Sequence, residues 1–387
     1  MRSSTEHVVI GGGLAGSMLA LRLATARREV VLLEKQREPD HKVCGEFLSA
    51  EAIGYLHRIG LDPRELGAHS IHQVRLHSRR ESVQASLPFA ALSLSRRLLD
   101  QTLLGKAEAA GCEVRRGAFV EKLLRDRNGF SIQLRDGQTV SATNVFLATG
   151  KHDVADLPRS KGSHPDLVGF KMHWQLDPAQ LQCIRNSMEL FLFRDGYGGL
   201  ALVENDVANL CFVVRQQRVR ELGGWFGLLH TIRKEVPAMD SILDGASQCW
   251  PRPLAISPIP YGYLAESANG IWRVGDQAAV IPSFTGDGMS IALHSADLAA
   301  EMFLAGKTPD EHLARLHSHL RSGMRFASAL SRMMVTPTGR LLAPSVLSIA
   351  PGAMCWIATK TRIPDRAISA VQMASAAAGG HSPASAA

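Results

Sequence analysis

Closely spaced cysteines are missing from this chain of 387 residues. Its six cysteines, Cys44, Cys112, Cys183, Cys211, Cys249 and Cys355, never fall within four positions of one another. That excludes zinc-type and CxxC spacings, and no metal site is expected. Reduced thiols in a cytoplasmic setting are the expectation. Unbroken apolar segments are lacking too. The run 341–358 is interrupted by Pro344, Pro351 and Gly352, so no transmembrane helix is expected. The first apolar run, 7–10, leads straight into glycines and does not read as a signal peptide. Basic residues form no stripe interleaved with aromatics, which make up 6%, and this argues against nucleic-acid binding. With 45% hydrophobic and 20% charged residues, the composition is globular: one large domain or two merged ones. The net charge of +7 is local. From His312 onward there are eight basic residues and one acid, Asp365, so the first 311 residues balance.

The opening is more specific. The apolar run 7–10 is followed by Gly11, Gly13 and Gly16 in the G-x-G-x-x-G pattern, then by helical apolar spacing at Met18, Leu19, Leu21, Leu23 and Ala24. A second apolar run, 30–33, ends at Glu34 and Lys35. Gly11 permits a tight turn, Gly13 lets a pyrophosphate approach the backbone, and Gly16 allows close helix–strand packing. The helix start at Leu14 and Ala15 offers free N–H groups to phosphate. Glu34, 18 residues after Gly16, can accept hydrogen bonds from ribose hydroxyls. Strand, glycines, helix, strand and terminal acid together identify a dinucleotide site without separating FAD from NAD.

Further along, a short strand at 270–274 leads to Gly275 and Asp276, then to Gly286, Asp287, Gly288 and Met289 at the start of another helical pattern. Here the sequence resembles the flavoprotein hydroxylase superfamily, which has the para-hydroxybenzoate hydroxylase fold and includes geranylgeranyl reductase-like proteins. The resemblance implies non-covalent FAD, with Asp276 on the ribityl chain and the turn 286–289 beside the flavin ring. Three more stretches carry it. Cys44 and Gly45 match a reductase-like segment near the flavin. Arg96, four residues before Asp100, matches an arginine that approaches the FAD phosphates. Thr149 and Gly150 close the apolar strand 145–148 as in the dinucleotide domain. The matches run from His7 to about Leu304.

The implied fold class is mixed α/β: a Rossmann-type FAD-binding domain assembled from separated segments, with an interleaved β-sheet substrate domain and C-terminal helices. FAD-binding pieces are expected at 1–75, 95–155 and 265–310. The substrate-side sheet is expected at 76–94 and 165–260, its strands having one buried and one wetter face. A turn is expected at 195–199. Helices broken at Pro337, Pro344 and Pro351 are expected over 311–370, and a disordered tail over 374–387.

Flavin would supply the redox chemistry and the protein its position and access. No second glycine loop for NAD(P)H is visible, so the reductant docks transiently or a partner reductase delivers electrons. The hydroxylases' Asp-Gly motif after the Ala-Thr-Gly strand is absent; Asp153 and Arg159 stand nearest to it. The leading expectation is a monooxygenase acting on an apolar aromatic or polyketide-like molecule through a flavin C4a-hydroperoxide. The alternative is reduction of carbon–carbon double bonds in an isoprenoid, although Gly196 to Leu202 replaces that branch's Tyr-x-Trp-x-Phe-Pro signature. Halogenase or pure electron-transfer roles rank lower. Cys44, His173 and Tyr197 are the candidates beside the flavin, each with a bland alternative as a packing or hairpin residue. Finally, Arg315, Arg321, Arg325, Arg332 and Arg340 suggest either a solvated helical cap or peripheral contact of 312–366 with an anionic membrane, at the inner face.

Overall fold

The first apolar run and the glycines after it build a βαβ unit. The computed structural model describes residues 2–127, 129–160, 162, 165–336, 352–364, 367 and 368. Strand Arg2–Ile10 pairs in parallel with Val30–Glu34 on one side and with Thr139–Leu147 on the other. Helix Leu14–Thr25 connects the first two strands, as a right-handed crossover requires. An added Cβ at Gly16 would lie 1.8 Å from the Gly11 carbonyl oxygen, so only glycine lets this helix pack on its turn. Glu113–Arg116 extends the sheet at one edge, and the antiparallel strands Val120–Asp126 and Gly129–Leu134 extend it at the other. Trp272–Arg273 joins it more than 120 residues later, beside Thr139–Leu147. The N-terminal helix is buried between helices Arg96–Ala109 and Gly288–Leu304, with Met18, Leu19, Leu99, Leu103 and Leu293 in the shared core.

The second sheet has nine strands. Its order runs from Ser247–Gln248 through Leu167–Gln175, Val207–Arg215, Gly196–Val203, Ser187–Phe193, His69–His77 and Ser82–Ser93 to Phe47–Leu48. Leu254–Ile256 pairs with Leu167–Gln175. The strand His69–His77 lies wholly in this sheet, as does Phe47–Leu48, so the expected boundary at 75/76 cuts through a continuous ladder. The expected wetter face is also corrected: the strands 167–175, 187–193 and 196–203 are buried on both sides. One side packs on helix Trp225–Glu235, with Phe212 stacked on Trp225 at 5.3 Å. The other faces the first half of the molecule. The turn is shorter than expected. Asp195 takes positive φ, and Phe193 already pairs with Gly196, so Tyr197 is a strand residue.

Helix Pro309–Met334 begins with Pro309 and a capping box between Thr308 and Glu311. Helix Gly352–Lys360 follows later in the chain. The break at Pro337, the segment around Arg340 and Pro344, and the tail 374–387 lie outside the described residues.

Candidate active site

Three turns from distant parts of the sequence open onto one cavity of about 650 Å³ between the two sheets. The glycine turn at 11–16 supplies Gly13, Leu14 and Ala15 to its wall. Helix Leu14–Thr25 has no side-chain cap, so its first-turn N–H groups are available to an anion. An added Cβ at Gly13 would meet nothing nearer than Arg96 Nη2 at 3.5 Å. Arg96 is fixed there by a bidentate pair with Asp100, at 2.7 and 2.8 Å. Glu34 Oε2 accepts the Gly12 N–H at 2.6 Å and Oε1 accepts that of Gln36 at 2.8 Å, leaving lone pairs on each oxygen. Neighbouring Lys35 is half-buried. Desolvation, with Lys42 close by, lowers its pKa.

Asp276 reaches the same cavity from the far end of the chain. Its Oδ2 lies 3.3 Å from Lys151 Nζ, beside Gly150, and its carbonyl accepts Arg159 Nη1 at 2.7 Å. Arg159 also donates to Asp153 at 2.5 Å with its side chain only 2% exposed. The pair that stood nearest to a nicotinamide motif is therefore a brace for the Asp276 turn. Thr149 donates to the His152 carbonyl at 2.6 Å and lies outside the cavity wall. Gly286, Gly288 and Met289 line the cavity. Asp287 does not. Its carboxylate turns inward to Arg362 at 2.8 Å, because a wholly buried charge needs a counter-ion, and burial still raises its pKa to about 6.

An uncapped helix start beside an arginine, with the Asp276 carboxylate on the same cavity, fits the pyrophosphate and polyol groups of FAD; Glu34 and Lys35 stand outside the cavity wall, with Glu34 bound to the glycine turn.

The middle turn holds the largest surprise. Cys44, Gly45 and Glu46 line the cavity, with Cys44 Sγ accepting the Glu46 N–H at 3.3 Å. Glu46 is fully buried at positive φ. Its Oε1 accepts Lys171 Nζ and the Arg96 N–H, and its Oε2 accepts His173 Nε2 at 3.1 Å. Burial alone would raise the Glu46 pKa, but Lys171 and His173 hold it below the usual carboxylate range. His41 lies against His173, with ring centroids 4.8 Å apart. Ligand atoms of His41, Glu46 and His173 come within 4.8 Å of one another, which a metal ion could bridge. The Lys171 ammonium already occupies that carboxylate, so the constellation carries its own cation. His173 thus sits behind the cavity wall and Glu46 on it. One signal was available for this: Lys171 is the one lysine in a strand whose first eight residues are buried, two positions before His173.

Tyr197 lines the cavity as a buried strand residue. Its hydroxyl lies 3.3 Å from Ser283 Oγ, and Tyr261 donates to the same oxygen at 2.7 Å. Burial raises the pKa of both phenols. Around them the wall is apolar, from Leu76, Leu190, Leu192, Val280 and Ile259. A serine–histidine–carboxylate chain also exists: Ser82 Oγ to His77 Nδ1 at 2.8 Å and His77 Nε2 to Glu189 Oε2 at 2.6 Å. It points the other way from Leu76 and Leu190, which line the cavity, and Glu189 is shared with Arg75 and Ser187. Its order resembles a nucleophilic triad, but its place is that of a satisfied buried acid.

The comparisons agree with this geometry. A profile of the FAD binding domain family matches residues 4–152. Menaquinone reductase of Mycolicibacterium smegmatis is 24% identical over 366 residues, covering 87% of this chain and 86% of its own. Rifampicin monooxygenase of Streptomyces venezuelae is 30% identical over 152 residues, 38% of this chain and 32% of its own. The crystal structure of PqsL, a probable FAD-dependent monooxygenase from Pseudomonas aeruginosa, superposes with a TM-score of 0.70 at 19% identity, over 89% of this chain and all of that one. At that identity the likeness shows the fold. Among the described residues no helix is long and apolar enough to cross a membrane.

Proposed function

We propose that this chain, an FAD-dependent oxidoreductase of the flavoprotein hydroxylase superfamily, is a monooxygenase of a neutral, largely apolar phenolic or polyketide-like molecule. Gly13 with the helix start at Leu14 and Ala15 would receive the pyrophosphate, Glu34 the adenosine ribose and Asp276 the ribityl chain, with the backbone at 286–289 against the ring. Bound flavin supplies the two-electron and dioxygen chemistry that no side chain provides.

The observation that carries the reading is the polarity of the cavity. Each cation on its wall already has a carboxylate partner: Arg96 with Asp100, Lys151 with Asp276, and Arg362 with Asp287. An anionic substrate would have to break one of these pairs. A substrate oxygen can be held by the hydroxyl cluster of Tyr197, Tyr261 and Ser283, just before the turn at Gly286. A phenol docked there has its apolar remainder against Leu190, Leu192 and Ile259. The apolar wall disfavours water around the reacting atoms.

A second reading has its own support. The relative named menaquinone reductase aligns across both halves of the chain, whereas the named monooxygenase aligns over 152 residues. That favours reduction of carbon–carbon double bonds in an isoprenoid. One experiment separates the two. Reduced holoprotein is given a neutral alkylphenol under labelled dioxygen, and separately an isoprenoid quinone without oxygen. Label in the phenol product supports the monooxygenase. Saturated isoprenoid units with no label in any phenol product would replace that reading with the reductase.

The contact with an anionic membrane proposed for 312–366 is narrower than the sequence suggested. Arg321, Arg325 and Arg332 are exposed, and at 100° per residue they share one side of helix Pro309–Met334. Leu330 and Met334, which line the cavity, lie on the other side. Lipid attraction through these arginines would turn the cavity away from the membrane.

A further inference from the structure

The group around Glu46 has no part in holding the cofactor or the substrate as described above. It is nevertheless an expensive arrangement. A fully buried lysine–glutamate pair is commonly replaceable by apolar residues without loss. Here it is combined with a non-glycine residue at positive φ and two packed imidazoles. Such features accumulate where they are used.

The chemistry supplies a use. Monooxygenation with a hydride donor consumes the hydride, dioxygen and one proton, and releases water. Saturation of a double bond consumes a hydride and one proton. In both reactions one proton per turnover enters from solvent, into a cavity that must exclude water. We propose that His41, His173 and Glu46 form that proton inlet.

Its geometry is directional. Glu46 Oε1 is taken up by Lys171 and by the Arg96 N–H, so exchange is confined to Oε2. A carboxylate only accepts, so His173 carries its proton on Nε2, which leaves Nδ1 as the receiving atom. The half-buried His41 is packed against the His173 ring. Its Nδ1 is buried without a hydrogen-bond partner among the described residues. Trp250 covers both rings at 4.8 Å and shields the step from bulk water. A proton taken by His41 passes to His173 Nδ1. The Nε2 proton moves to Glu46 Oε2, and from there to the acceptor in the cavity. Donation to the acceptor returns Glu46 to its ionised form, which Lys171 stabilises, and His173 returns to its Nε2 tautomer before the next turnover. Arg97 and Lys171 also face His41, and burial with these cations lowers its pKa to about 4, so it carries protons without storing them.

The inlet is the same for either reaction proposed above, and its test needs no substrate. Reduced methyl viologen, which gives up electrons without releasing protons, reduces the flavin of the anaerobic holoprotein with two electrons and one solvent proton. Stopped-flow absorbance follows the flavin, and a pH indicator follows the proton. In the wild type, proton uptake should keep pace with reduction. In Glu46→Gln and His41→Ala it should lag by about 10²-fold, the lower end of what a placed proton donor contributes. Added imidazole should restore uptake in His41→Ala but not in Glu46→Gln. A purely structural role would change FAD content or unfolding temperature and leave the lag and its rescue absent. Uptake that keeps pace in His41→Ala at full FAD content would overturn the inlet, and that variant decides the matter even if Glu46→Gln loses cofactor.

Discussion

Behind the seven-stranded sheet, the helices bury His294 and His312 as neutral rings, whereas the nine-stranded sheet buries Glu46 as an anion held by Lys171. Burial lowers the pKa of His294 to about 3 and that of His312 to about 4. Their partners are neutral too: Tyr55 lies 2.6 Å from His294, and the Ser295 carbonyl lies 3.2 Å from His312. Glu46 and Lys171 are just as inaccessible, yet each compensates the other's charge. The same loss of water is answered by neutralisation in one region and by pairing in the other. The first solution fails when protons are added, the second when one partner is removed.

The paired region should break hardest. Lys171→Met leaves Glu46 buried without its cation and should cost about 3–5 kcal/mol in denaturant unfolding. The double variant Lys171→Met/Glu46→Leu should recover most of that loss. A double variant no more stable than the single would mean that packing, not charge, was removed. Within the first region, the glycine turn sharpens the contrast between fold and function. Gly16→Ala places a Cβ against the Gly11 carbonyl and should cost at least about 1–3 kcal/mol by overpacking. The Cβ of Gly13→Val meets only the side chains of Arg96 and Asp100, at 3.5 and 3.9 Å, so the apoprotein should keep its unfolding temperature while flavin absorbance in the purified protein disappears. Full FAD content in that variant would remove Gly13 from the site.

Acid tests the neutral histidines. Their folded pKa values are depressed, so the unfolded chain binds protons first. Stability should therefore fall as pH drops below about 6.5, by about 1.4 kcal/mol per pH unit for each histidine. The loss should continue to about pH 4, where folded His312 begins to take its own proton. Replacing both by glutamine should flatten this slope in chemical unfolding series. An unchanged slope would assign the acid sensitivity elsewhere. The smallest effect is at the surface. Replacing Arg321, Arg325 and Arg332 by glutamine should reduce co-sedimentation with anionic vesicles at low salt, each charge contributing about 1 kcal/mol. Turnover of a water-dispersed substrate should not change, since these arginines lie opposite the cavity side of their helix. Equal pelleting would return the helix to the role of a solvated cap.

Local chemistry made one region legible. Gly11, Gly13, Gly16 and Glu34 act within 24 residues, through backbone geometry that a linear pattern encodes, and Asp276 follows its strand at a recognisable spacing. The βαβ unit with its glycine turn was therefore readable before any fold was known. Alternation misled in the other region: strands that looked half-exposed are buried twice, because helix Trp225–Glu235 covers one side and the cavity the other. Tyr197 was visible, but Tyr261 and Ser283, more than 60 residues away, share its hydroxyl site only once the sheet closes on the turn before Gly286. Glu46 shows the limit most clearly. Lys171 and His173 lie 125 and 127 positions beyond it. A charge pair carries no periodicity, and its energy depends on exclusion from water, which belongs to the assembled chain and not to any segment of it. The sequence by itself determined a glycine turn and helix start suited to a dinucleotide; the tertiary structure alone decided which charges would be left without water around the cavity.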